Sequence, residues 1–87
     1  MHTFFPTQVV GTCTEKITKA LDPKEIEVKG MYDDPNGSHI TIYCVADAFE
    51  GKRSLARQQM VFKAIWDEMQ GPVHAVDTMV LKAPSEV

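Results

Sequence analysis

Two short alternating segments flank the run DDPNG at positions 33–37, and that arrangement limits the fold more than any other feature of the chain. Proline presets the backbone for a turn and Asn-Gly supplies positive φ, so the chain is predicted to reverse there. Before it, from Glu25 to about Met31, Ile26 and Val28 alternate with Glu25, Glu27 and Lys29. After it, Ile40, Ile42 and Cys44 share one strand face while His39, Thr41, Tyr43 and Val45 share the other. Two half-buried strands joined by a tight reversal make an antiparallel hairpin with one face in need of cover.

Helices supply the cover. Val9 or Val10, Cys13, Ile17, Ala20 and Leu21 recur at helical spacing. Thr12 and Glu15 have capping-box spacing, Thr7 offers an earlier start, and Asp22 with Pro23 ends the helix. After the connector FEGK at 49–52, Ser54 can cap the segment SLARQQMVFKAIWDEMQ, which no Gly or Pro interrupts. Leu55, Phe62, Ile65, Trp66 and Met69 fall on one face of it, with Val61 on the shoulder. Gly71 is placed for a left-handed cap, and Pro72 prevents continuation. Within the connector, Phe49 is read as a core plug and Gly51 as the residue that permits the turn. The last run, VHAVDTMVL, is β-rich but does not alternate cleanly. The order helix, strand, strand, helix, strand is an α+β plan, with helices packed on a three-stranded sheet. Because the last strand arrives through a helix, the sheet is expected to be mixed.

At 87 residues and 44% hydrophobic content, the chain suffices for one core, so a single domain over 1–87 is expected, with 1–8 as a flexible terminus. The formal charge of −3 argues against a protein whose whole surface embraces nucleic acid. Lys52, Arg53, Arg57 and Lys63 nonetheless make the start of the long helix basic. A solvated face, contact with a partner or anion, and contact with nucleic acid are all open readings of that cluster. Cys13 and Cys44 are too few for a disulfide framework, and each falls on an apolar face, as a small buried hydrophobe would. Met60 and Met69 are read as packing residues. Neither a GxSxG nor a GxxxxGKS motif is present, and no acid, base and nucleophile set suggests an enzyme. No apolar run reaches the roughly 18 residues of a membrane span, so no membrane association is expected. The expectation is a monomer of the cytoplasm, or of the mitochondrial or plastid matrix if the chain is a trimmed mature form.

FEGK at 49–52, RQQMVFKAIWDEM at 57–69, VHAVD at 73–77 and KAPSEV at 82–87, taken together at their spacings, resemble the BolA family. Gly37, Ser38 and His39 after the turn resemble its short-loop branch. The resemblance implies a fold like the class II KH domain. It also implies a non-catalytic role in iron-sulfur cluster trafficking or iron regulation. Such proteins pair with monothiol glutaredoxins of the CGFS type, and the heterodimer can hold a bridging 2Fe-2S cluster together with glutathione. Carried over by position, the histidine of the VHA element is His74, and the best second ligand is His39. Imidazole suits the role, because replacing thiolate by histidine on a cluster iron raises its potential. Lys52, Arg53 and Arg57 are the candidates for partner or glutathione contact. The competing reading, prompted by the KH-like fold, is a nucleic-acid-binding transcriptional regulator. His2 has no such support.

Overall fold

The computed structural model describes residues 9–30, 39–71, 73 and 75–87. The expectations placed on 1–8, on the DDPNG turn, on Pro72 and on His74 lie outside the described residues. Helix α1 spans Val9–Leu21, strand β1 Glu25–Gly30, and strand β2 His39–Val45. Helix α2 covers Ser54–Ala64, the short helix α3 Trp66–Met69, and strand β3 Ala75–Lys82. Single 3₁₀ turns at Asp47–Phe49 and Pro84–Glu86 complete the described elements. The α+β plan read from the sequence is the one observed. The sheet order is β1-β2-β3, with β1 antiparallel and β3 parallel to β2.

Why these residues form these elements follows from their burial. Val9, Cys13 and Ile17, spaced by four, form the buried stripe of α1, which lies against β1 and α2. Since α1 already runs from Val9, the Thr12–Glu15 spacing does not mark its start. Asp22 closes it with φ of 47°, a left-handed residue that a short polar side chain tolerates, and its amide donates to the Thr18 carbonyl. On β2, Ile40, Ile42 and Cys44 are buried as the alternation requires. Phe49 is fully buried and Gly51 adopts φ of 73°, so the connector is a structural corner.

Three local expectations are corrected. The long segment is not one continuous helix, because Ile65 takes φ −110°, ψ 25° and separates α2 from α3. Hydrogen bonding nevertheless crosses the break, from the Ile65 amide to Val61 and from the Met69 amide to Ile65. In α3, Glu68 meets Lys16 of α1 at 2.7 Å. The face is also rotated: Val61 and Ile65 are fully buried, whereas Leu55 and Trp66 are 66% and 60% exposed. Gly71 does not adopt the left-handed cap, and its amide donates to the Glu68 carbonyl instead.

Candidate functional site

The parallel ladder between β2 and β3 is not regular. His39 is opposite Ala75 and Ile40 opposite Val76, but Thr41 is opposite Thr78, which leaves Asp77 as an extra residue. This β-bulge explains the broken alternation of the last strand. Val76, Met79 and Leu81 all pack against the core, so the inward spacing is three residues across the bulge and two beyond it. A bulge locally re-aims side chains, and here Asp77 and Thr78 are both exposed.

That placement brings Asp77 to His39. His39 Nδ1 is 3.0 Å from Asp77 Oδ1, across 38 residues of sequence. The His39 side chain is 51% exposed, so the pair stands at the surface. A carboxylate on one ring nitrogen leaves the other, Nε2, for an external partner, as in histidines that ligate metals. Among the described residues no group of three or more His, Cys, Asp or Glu converges to hold a metal ion. His74 is outside the described residues, although its neighbours are not: Val73 is buried, and Ala75 is the Cα partner of His39.

The opposite end of β3 is tied down. The Arg57 side chain is only 11% exposed. Its guanidinium donates to Glu86 Oε1 at 2.6 Å, to Glu86 Oε2 at 3.1 Å and to the Leu81 carbonyl at 3.0 Å. Its Nε donates to the Lys52 carbonyl, and the group lies 5.9 Å from the centre of the Phe49 ring. Bidentate pairing with Arg57, aided by the Ala83 amide, holds the Glu86 carboxyl down at about 2. Glu50 accepts from the amide and hydroxyl of Ser85 alongside. Arg57 is thus a clamp on the C-terminal segment, its guanidinium engaged within the chain. Lys52 and Arg53 remain exposed at the start of α2. Sequence spacing gave no signal of Asp77 or Glu86, because each finds its partner through tertiary structure.

Cys13 and Cys44 are fully buried. Desolvation pushes each thiol up to about 11, away from the reactive thiolate. No helix among the described residues is long and apolar enough to cross a membrane.

Helices packed on a small mixed sheet, with a histidine exposed at the start of its central strand, define a class of domain rather than a reaction. A family model described as BolA-like protein matches residues 17–86, and the chain belongs to that family. It is 33% identical over 86 residues to the SufE-like protein 1, chloroplastic/mitochondrial, of Arabidopsis thaliana, covering 84% of this chain and 23% of that protein. It is 34% identical over 76 residues to BolA-like protein 1 of Mus musculus, covering 82% of this chain and 55% of that protein. The solved structure of BolA1 from Arabidopsis thaliana superposes with a TM-score of 0.81 at 26% identity, over 91% of this chain and 95% of that one. The chain thus spans about a quarter and about half of the two curated relatives.

Proposed function

We propose that this protein is a non-catalytic partner of monothiol CGFS glutaredoxins in iron-sulfur cluster trafficking or iron regulation. In this reading it supplies His39 and His74 to a 2Fe-2S cluster that the glutaredoxin and glutathione also ligate. The observation that carries the reading is the His39–Asp77 pair: an exposed imidazole with one nitrogen engaged by a carboxylate, the arrangement of histidines that ligate metals through the other. Imidazole is a suitable donor to a cluster iron, and its affinity for metal depends on pH because the proton and the metal compete for it. Buried, unactivated thiols make neither Cys13 nor Cys44 a competing ligand. Lys52 and Arg53 are the cations that remain for the partner or for glutathione at the start of α2. The competing nucleic-acid reading loses Arg57, whose charge is answered by Glu86. Two compartments suit the role: the cytoplasm, and an organelle of the kind in the name of the chloroplastic/mitochondrial relative.

The test mixes the purified protein with a CGFS glutaredoxin, iron, sulfide and glutathione, and records visible circular dichroism. The expected spectrum differs from that of the glutaredoxin alone, and it changes in the His39→Ala and His74→Ala variants. A wild-type spectrum identical to that of the glutaredoxin alone rules the reading out.

A further inference from the structure

The chemistry of the His39–Asp77 pair goes beyond exposure of a ligand. A carboxylate only accepts hydrogen bonds, so at 3.0 Å from Asp77 Oδ1 it is His39 Nδ1 that carries the proton. In a neutral imidazole the other nitrogen, Nε2, then holds the lone pair. Which ring nitrogen is free is set by the bond the other one makes. The pairing depends on the bulge: β3 fits one more residue, Asp77, between the partners of Ile40 and Thr41, and its carboxylate reaches back to the His39 ring. The regular ladder on the other side of β2 has no such insertion.

We propose that Asp77 is a positioning residue that fixes His39 as the Nδ1–H tautomer and so presents Nε2 to the metal. This rests on the reading of His39 as a cluster ligand, but its first consequence belongs to the isolated protein.

The test is ¹⁵N NMR of the His39 ring at a pH where the imidazole is neutral, in the wild type, Asp77→Asn and Asp77→Ala. The wild type should show an unprotonated Nε2 and a protonated Nδ1. Asp77→Asn keeps an accepting oxygen and should retain that pattern, whereas Asp77→Ala should lose it and shift toward the Nε2–H form preferred by imidazole in water. An amide spectrum matching the wild type identifies variants that have kept the fold. In the heterocomplex with a CGFS glutaredoxin, Asp77→Ala should weaken cluster retention by about 10- to 100-fold, with Asp77→Asn recovering part of the loss. A wild-type His39 protonated at Nε2, or an Asp77→Ala pattern indistinguishable from wild type, overturns the proposal. Failure of the wild type to form any heteromeric cluster would instead remove the proposed function and leave the tautomer result standing.

Discussion

Strand β2 meets its two neighbours in different ways. Toward β1 it makes an uninterrupted antiparallel ladder from Glu25↔Val45 to Gly30↔Ile40, extended by the Lys24 amide on the Val45 carbonyl. Toward β3 it makes a parallel ladder broken by a single inserted residue, and the insertion is where the titratable side chains His39 and Asp77 come together. The regular ladder satisfies the backbone and aims Val28, Ile40 and Ile42 at the core. The irregular one gives up that uniformity at its N-terminal end, while the far end of β3 is held by Arg57 and Glu86. One side of β2 serves packing, and the other brings a histidine and a carboxylate together at the surface.

The largest effect expected from breaking this comparison comes from the residue both ladders share. Ile42 is buried at 2% exposure and is opposite Val28 on one side and Met79 on the other. Ile42→Ala should destabilise by about 2–5 kcal/mol in urea unfolding, because a cavity opens under both ladders. A loss under about 1 kcal/mol would mean that the sheet is not the cooperative unit described.

Deleting Asp77 sharpens the comparison instead. The shortened strand would alternate regularly, with Val76, Met79 and Leu81 still facing the core. Its stability should stay within about 1 kcal/mol of the parent, the scale of an ordinary substitution, while cluster retention in the heterocomplex falls. Equal loss of folding and of cluster retention would show the bulge to be structural.

The clamp at the far end of β3 carries a pH dependence of defined sign. The Glu86 carboxyl is held at about 2, below the ordinary 4.5, first by its hydrogen bonds from Arg57 and then by the Ala83 amide. A depressed folded-state pKa gives stability that is complete above the unfolded value and is lost as pH falls from there through about 2. Stability of the wild type should therefore fall more steeply below pH 4.5 than that of Glu86→Gln, as read from urea midpoints at several pH values. Parallel profiles would exclude the clamp as the cause.

The smallest effects concern the outward side of α2 and α3. Leu55→Ala and Trp66→Ala should each change stability by no more than about 0.5 kcal/mol, because both side chains are mostly in solvent. Ile65→Ala, on the buried side, should cost about 2–5 kcal/mol. Similar values for the two sides would restore the helix face read from the sequence.

What the sequence disclosed and what it hid follow one physical line. Strands β1 and β2 were legible because period-two alternation is local, and Phe49 and Gly51 because a plug and a positive-φ turn leave their mark within four residues. The uneven pattern of the last strand was visible, yet its cause was not, since a bulge is defined by the partner strand. The face of α2 and α3 was legible in part: Ile65 and Met69 meet the core as their spacing predicts, whereas Leu55 and Trp66 imitate that stripe in solvent and Val61, at its shoulder, is fully buried. A groove lined by Gln59, Phe62, Lys63 and Trp66 lies on that outward side. Arg57 looked like part of a basic patch because its counter-charge, Glu86, is 29 residues away. His39 was legible as a candidate, but its partner Asp77 was not, because only the fold joins them.

The central claim is that this chain places histidine nitrogen on a shared cluster from the irregular side of β2. Pulsed electron paramagnetic resonance of the reduced heterocomplex, with only this chain's histidines labelled with ¹⁵N, tests it most directly. The account predicts ¹⁵N couplings from this chain to the cluster iron, diminished in His39→Ala and in His74→Ala. A heteromeric cluster with no ¹⁵N coupling, or one whose couplings both variants leave unchanged, would contradict it.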